Sequence, residues 1–161
     1  MTDISTDQVW AEIDRHIFAV VGMVSARQQA RTAGIVYLVR DRRLYFGTSV
    51  HEWKVRHLRG NPHASVTVPI AKRIPLMPFI KIPAATITFA ATARVLLDDE
   101  VPDGVLAELD AGLRDDPSAS SSAAVVELTP TGDFVTYGVG VSLNTMRDTV
   151  RARGRAPVGV A

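Results

Sequence analysis

The first pattern along the chain predicts a short amphipathic helix over residues 6–15. Ser5 and Gln8 have the spacing of a capping box, in which each side chain accepts a hydrogen bond from the other residue's backbone N–H. Apolar residues then recur at three- and four-residue intervals, at Val9, Trp10, Ile13 and Ile17. This period places them on one helix face, which must pack against the rest of the chain.

Beyond this helix the apolar period changes toward two, which predicts a β-rich domain. The predicted strands are Ile17–Ser25, Ala30–Arg40, Arg43–Thr48, His63–Ile70, Thr86–Leu97, Ala124–Thr129 and Asp133–Tyr137. Only Asp41 and Arg42 separate the second strand from the third, so a tight antiparallel hairpin is expected there. Pro130-Thr131-Gly132 predicts a turn between the last two strands.

The segments between the strands complete the organisation of a single domain over residues 1–161. Helices are predicted at 50–59 and Pro102–Leu113, and a polar linker at Ser118–Ser122. Four prolines make Pro69–Pro83 a long loop, a type of segment that often covers a ligand. Residues 144–161 are expected to form an extended basic tail. Six or so antiparallel strands with short helices predict a mainly β or α+β domain, closed as a barrel.

Composition and charge exclude several classes of protein. With 47% hydrophobic residues, a net charge of +1 and no cysteine, the chain is neither disordered nor disulfide-stapled. The balanced charge also disfavours general nucleic-acid binding. No apolar run approaches the length of a membrane span and no secretory signal is visible, so we expect no membrane contact and a cytoplasmic location.

A candidate anion site lies where the third strand meets the second helix. Thr48 and Ser49 place two hydroxyls at the strand end, and Lys54 follows one turn into the helix. The amides and dipole of a helix N-terminus favour phosphate, and Arg31 and Lys54 supply positive charge. These residues are suited to a phosphate-bearing cofactor.

A purely structural interpretation competes with this one. Ser49 and Glu52 also have capping-box spacing, and Glu52 stands one turn before Arg56, so the helix could satisfy its own amides. A carboxylate at the helix start would also repel a phosphate. Spacing alone leaves both interpretations open.

The segment RTAGIVYLVRDRRLYFGTSVHEWKVRHLRGNPHASVTV, residues 31–68, resembles the pyridoxamine 5'-phosphate oxidase-like proteins, the flavin- and deazaflavin-binding split-barrel family. The resemblance rests on an arginine opening the second strand, an aromatic-rich third strand ending in Thr-Ser, a lysine in the next helix, and Leu-Arg-x-Asn-Pro. It implies a six-stranded split β-barrel, a homodimer, and a cofactor groove at the dimer interface. The implied activity is an oxidoreductase acting on a small-molecule substrate with FMN or the deazaflavin coenzyme.

Carried onto this chain, the resemblance places Arg31, Thr48, Ser49 and Lys54 near the cofactor phosphate, and Val36 and Gly47 against the ring or ribityl chain. Trp53 is a candidate for stacking on the ring, although packing is its commoner role. Thr86 stands where a flavin-contacting glutamine is common. The family's Ser-Arg-Lys is replaced here by Glu52-Trp53-Lys54. The Arg-Leu-His motif of true pyridoxine phosphate oxidases is absent, so vitamin B6 oxidation is not expected.

Several alternatives remain open. Basic residues could meet the acidic tail of a deazaflavin or simply form a solvated rim: Lys72, Arg73, Lys81, Arg151, Arg153 and Arg155. A non-catalytic protein of the same fold, holding a cofactor, haem or small ligand, is the second hypothesis, and a basic-tail nucleic-acid binder is the third. No catalytic residue is identified, beyond Tyr37 or a water as a proton donor. The spacing of His51, His57 and His63 predicts no shared metal.

Overall fold

The computed structural model describes residues 2–72, 83–112 and 123–159. The helices are α1 (Thr6–Asp14), α2 (Trp53–Gly60) and α3 (Val105–Gly112), with short 3-10 turns at Asp98–Glu100 and Thr145–Arg147. The strands are β1 (Phe18–Val24), β2 (Ala30–Val36), β3 (Leu38–Arg40), β4 (Arg43–Ser49), β5 (His63–Ile70), β6 (Ala85–Leu96), β7 (Ala123–Tyr137) and β8 (Arg153–Pro157). Most of the predicted loop Pro69–Pro83 and the whole predicted linker Ser118–Ser122 lie outside the described residues.

The strands form one antiparallel sheet that curls into a split barrel. Their order is β2-β1-β5-β6-β7-β4-β3, with β8 paired to β7. The two ends of this order, β2 and β3, are halves of the single strand predicted at Ala30–Arg40. Because β2 pairs with β1 and β3 pairs with β4, one stretch of chain joins both ends of the sheet. The predicted split β-barrel of the α+β class is confirmed.

Tyr37 is the residue at which the chain passes from one ladder to the other. Its backbone N–H donates to the Ile17 carbonyl and its hydroxyl donates to the Ile13 carbonyl at the end of α1, both at 2.8 Å. The side chain is 3% exposed. Burial, with a smaller effect from Asp14, raises the pKa of Tyr37 well above its usual range. This hydroxyl is therefore committed to the fold, and the suggestion that Tyr37 donates protons to a substrate is wrong.

The short-range predictions of helix start and hairpin are confirmed. The Ser5 hydroxyl accepts from the Gln8 N–H at 3.2 Å, and the Gln8 side chain accepts from the Ser5 N–H at 2.9 Å. Asp41 and Arg42 both have positive φ, at 50° and 56°, as a two-residue type I′ hairpin turn requires. Arg42 also donates to the Asp7 carboxylate at 2.7 Å, which ties the hairpin to α1.

The predicted turn at Pro130-Thr131-Gly132 is wrong, because β7 runs unbroken through it. The pairing with β6 slips there: Thr131 pairs with Ala90 and Val135 with Thr88, so β7 carries two extra residues. Gly132, at φ 73°, absorbs this bulge. Pro130 is tolerated because the pairs with β4 end at Leu128 and those with β8 begin at Asp133.

The C-terminal region likewise differs from the extended tail that was expected. Residues 153–157 form β8, which pairs with β7 from Asp133↔Pro157 to Tyr137↔Arg153. Gly154 and Ala156 are buried while Arg153 and Arg155 are exposed. A side chain at Gly154 would lie 2.7 Å from Thr136 Oγ1, so close strand packing requires glycine there.

The main core fills the inside of the barrel, and a smaller one lies outside it under α3. In the main core, the Phe134 ring makes edge contacts with Trp10 and Phe89, with centroids 5.4 and 5.2 Å apart. The smaller core contains Tyr45, Leu96, Val105, Leu109 and Val125. α3 therefore covers one end of the outer face of the sheet.

Replacement of Tyr37 by phenylalanine tests its role in closing the barrel. Tyr37→Phe leaves the Ile13 carbonyl without this donor, and we expect the free energy of unfolding to fall by about 1–2 kcal/mol in urea denaturation. Tyr137→Phe, which removes a hydroxyl bonded to the Met146 carbonyl at a less buried position, should cost less. An unchanged stability in Tyr37→Phe would contradict the assigned role.

Candidate functional site

The candidate site begins at the end of β4, where Thr48 and Ser49 point to opposite faces. Side chains alternate along a strand, so Thr48 shares the core face with Phe46, and Ser49 shares the outer face with Tyr45. Thr48 Oγ1 is buried and has no hydrogen-bond partner among the described residues. A buried hydroxyl without a partner is costly in a folded protein, and a ligand oxygen at this corner would satisfy it.

The start of α2 does not contain the capping box that the structural interpretation required. Glu52 occupies the N-cap position, yet its side chain makes no capping hydrogen bond. The Ser49 hydroxyl accepts from the backbone N–H of His51 at 3.3 Å. The first amides of a helix have no acceptor within the helix, and the N-cap side chain supplies none here.

Glu52 instead forms an ion pair with Lys54, at 3.5 Å between Oε2 and Nζ. The pairing with Arg56 that the sequence left open does not occur among the described contacts. The Lys54 side chain is 19% exposed and that of Glu52 is 43% exposed. The corner therefore presents a mostly shielded ammonium group whose present partner is a carboxylate at the edge of solvent.

Arg31 lies at the same end of the sheet as this corner. It pairs with Met23 near the end of β1, and Gly22 pairs with Ser65 near the start of β5, which directly follows α2. Its guanidinium is exposed and donates to the Gln29 side chain at 3.1 Å. Arg31 is thus free to turn toward an anion at this end of the barrel.

Val36 and Thr86 lie toward the opposite end of the sheet and on its outer face. Val36 pairs with Phe18 and Thr86 pairs with Pro69. Val36 lies five positions after Arg31 on β2, a distance of about 16 Å at the usual rise of an extended strand. The structure therefore separates Val36 and Thr86 from the residues that were predicted to contact the phosphate.

Trp53 and Gly47 are the two remaining predicted contacts. Trp53 packs against the main core and makes an edge contact with His57, with ring centroids 5.5 Å apart. Gly47 pairs with Val125 of β7, on the Tyr45 side of β4. Their contact with a cofactor stays a prediction.

An uncharged outer face is a feature that the sequence analysis missed. On β1, β2, β5 beyond His63 and the start of β6, the outward positions are apolar, small or hydroxyl-bearing, among them Phe18, Val20, Thr32, Gly34, Val36, Ser65, Thr67, Thr86 and Thr88. Phe18 and Val36 are 46% and 50% exposed. The signal was present as strands that alternate apolar residues with Gly, Ser and Thr instead of with charges.

The second missed feature is a polar cluster beneath α3. The Tyr45 hydroxyl donates to Glu127 Oε2 at 2.8 Å, and Arg43 Nη1 donates to the same oxygen at 3.2 Å. Burial and the bond to Glu127 raise the pKa of Tyr45. Glu127 is buried, so this arginine and hydroxyl are what stabilise its carboxylate in the interior. The Tyr45 hydroxyl and Arg43 Nη1 satisfy Glu127 Oε2, whereas Arg43 Nε is buried without a hydrogen-bond partner among the described residues. We assign the cluster to packing of the smaller core.

Two concavities formed by described residues do not include the predicted site residues. Two spaces of about 310 and 350 Å³ lie beside α1, one lined by residues such as Gln8 and Arg15, the other by residues such as Trp10 and Arg42. Within the described parts of the chain, no three or more His, Cys, Asp or Glu side chains gather where they could hold a metal. Nor is any helix of those parts long and apolar enough to cross a membrane.

Comparison with known proteins identifies the fold. No family model matches the chain, and no curated protein matches its sequence. Solved structures do match. One is a Listeria innocua protein assigned as a pyridoxamine 5'-phosphate oxidase, with TM-score 0.60 and 17% identity over 78% of this chain and 92% of that chain. An F420 reductase matches with TM-score 0.56 and 13% identity, over 83% of this chain and 98% of that chain.

A third similar structure belongs to a protein with a different role. HutZ, the heme storage protein from Vibrio cholerae, matches with TM-score 0.66 and 16% identity, over 85% of this chain and 98% of that chain. The chain thus has the split-barrel fold of the pyridoxamine 5'-phosphate oxidase-like proteins. At this level of identity the likeness shows the fold alone, and fold does not fix the ligand.

Replacement of Thr48 by valine tests whether its hydroxyl is kept for a ligand. Because Thr48 Oγ1 has no protein partner among the described residues, Thr48→Val should leave the free energy of unfolding unchanged or raise it by up to about 1 kcal/mol. The control is Thr67→Val. The Thr67 hydroxyl lies 3.3 Å from Thr88 Oγ1, so its removal should not stabilise the protein. Thermal unfolding measures both. A loss above about 1 kcal/mol in Thr48→Val would mean that the hydroxyl is used by the fold.

Proposed function

We propose that this protein is a flavin- or deazaflavin-dependent oxidoreductase whose cofactor is anchored at the corner between β4 and α2. The cofactor would supply the redox chemistry, and the protein would bind and orient it. Thr48 would donate to the anionic group, with Lys54 and Arg31 providing charge, while Ser49 points to the other face of β4 and is not assigned to this group. FMN and the deazaflavin coenzyme are the two candidate cofactors, and the substrate would be a small molecule.

The observation that carries this proposal is the unsatisfied corner itself. Three features lie close together between the end of β4 and the first turn of α2. They are a buried hydroxyl without a described partner, a helix start without a side-chain cap, and a shielded ammonium group. Each of these features favours an anion, and together they form an arrangement that a bound phosphate would complete. The similar F420 reductase supports a redox cofactor within this fold.

A non-catalytic carrier of haem or another cofactor is the second candidate function. The similarity to the heme storage protein favours it, as does Glu52, whose carboxylate weakens the corner for phosphate. Spectral titration separates the two functions, because a carrier binds its ligand without electron transfer to a substrate.

We also propose that two copies of the chain associate through the uncharged outer face. Charged side chains are absent from the outward positions of β1 and β2 between Phe18 and Val24 and between Thr32 and Val36. Val36 and Thr86 lie on this face, so a cofactor that touches them and also reaches Lys54 would be enclosed between two subunits. In this arrangement the second subunit would cover the open side of the corner.

Cofactor titration tests the proposed function. FMN, the deazaflavin coenzyme and haem are added separately to the purified protein, and binding is followed by absorbance or fluorescence. We expect FMN or the deazaflavin to bind and to be reduced by NADPH or to transfer electrons when supplied reduced. Lys54→Ala and Arg31→Ala should each weaken binding about tenfold, the scale of a charged hydrogen bond to phosphate.

The matched control is Arg59→Ala, which removes an exposed cation from the last turn of the same helix. It should bind like the natural protein. Binding of haem alone would favour the carrier, and failure of both flavin-type ligands to bind would refute the proposed oxidoreductase.

Light scattering coupled to size exclusion tests the dimer. The natural protein should have about twice the 17.4 kDa mass of one chain. Val36→Glu buries a charge in the proposed interface and should give monomers. Val150→Glu, at a position 70% exposed in a loop, is the control and should remain dimeric. A monomeric natural protein, or a dimeric Val36→Glu, would contradict the proposed interface.

A further inference from the structure

We infer that Glu52 is a specificity-determining residue that selects against ligands ending in a dianionic phosphomonoester. This inference rests on the proposed function and names the ligand class that the same corner accepts. The natural ligand would carry a singly charged phosphodiester next to α2.

The position of Glu52 gives it two effects on an incoming anion. Its carboxylate lies 3.5 Å from Lys54 Nζ and so neutralises the cation that a phosphate would use. It also adds a negative charge at the helix start, where the dipole would otherwise favour an anion. Both effects grow with the charge on the ligand, so a dianion is disfavoured more than a monoanion.

A capping hydrogen bond does not explain why a glutamate stands at this position. Its side chain makes no capping bond to the amides of α2. Its described ion-pair partner is Lys54, two residues on, which is not a spacing that stabilises a helix. These contacts leave Glu52 one role, which is to act on the charge of the corner.

The test compares FMN with riboflavin, since the two differ only by the terminal phosphate. The ratio of their dissociation constants isolates the contribution of that phosphate from the contacts of the ring. Glu52→Gln removes the charge and keeps the shape, and we expect FMN to bind about five- to tenfold tighter while riboflavin binding stays unchanged. Glu52→Asp keeps the charge and should retain the natural ratio.

A control on another partly exposed carboxylate, whose side chain is 30% exposed against 43% for Glu52, excludes a general effect of net charge. Glu12→Gln, on α1, changes the protein's charge equally and should leave the FMN-to-riboflavin ratio unchanged. Thermal unfolding of all variants checks that each is folded.

The outcomes separate this inference from the proposed function. If FMN binds, and Lys54→Ala weakens it, but Glu52→Gln leaves the ratio unchanged, the role of Glu52 is refuted while the cofactor site stands. If FMN, riboflavin and the deazaflavin coenzyme bind to neither the natural protein nor Glu52→Gln, both the inference and the proposed cofactor site are refuted.

Discussion

The hydrogen bond from the Tyr37 hydroxyl to the Ile13 carbonyl sits where the barrel is closed. One stretch of chain pairs with β1 through β2 and with β4 through β3, and Tyr37 stands between these two strands. At the break the backbone of Tyr37 bonds to Ile17, and its side chain is locked under α1. The amphipathic helix at the start of the chain thus fixes the point at which the sheet closes.

This closure also determines how the candidate site is divided. Arg31 and Val36 belong to the same strand on one side of the break, yet they lie near opposite ends of the sheet and on opposite faces. The corner that suits an anion and the face that suits a ring are therefore separate features of one subunit. A ligand long enough to use both must extend along the sheet, and enclosing it requires a wall that the described residues of one chain do not provide.

Features that depend on neighbouring residues could be predicted from sequence, and those that depend on distant pairing could not. The capping box of Ser5 and Gln8 and the turn at Asp41 and Arg42 are local, and both are confirmed. Pro130 and Gly132 have the composition of a turn, but pairing with β6 on one side makes them a bulge. β8 was missed because its alternation of arginine with glycine and alanine lacks β-branched residues.

The same distinction applies to the site. Thr48, Ser49 and Lys54 could be grouped from sequence because they surround one strand-to-helix junction. Spacing could not tell whether Glu52 caps the helix or pairs with a cation, since the Glu52 side chain is long enough for either contact. The structure shows the ion pair. The outer face could not be recognised because its members come from four strands and share a surface only once their register is known.

The bulge of β7 has a consequence for how this segment can change its length. Two extra residues preserve the alternation of the strand, so Phe134 still enters the core beside Trp10 while Val135 remains outside. An odd number of inserted or deleted residues would exchange those two directions. The segment can therefore lengthen or shorten only by an even number of residues. This number constrains its variation more than the type of residue does.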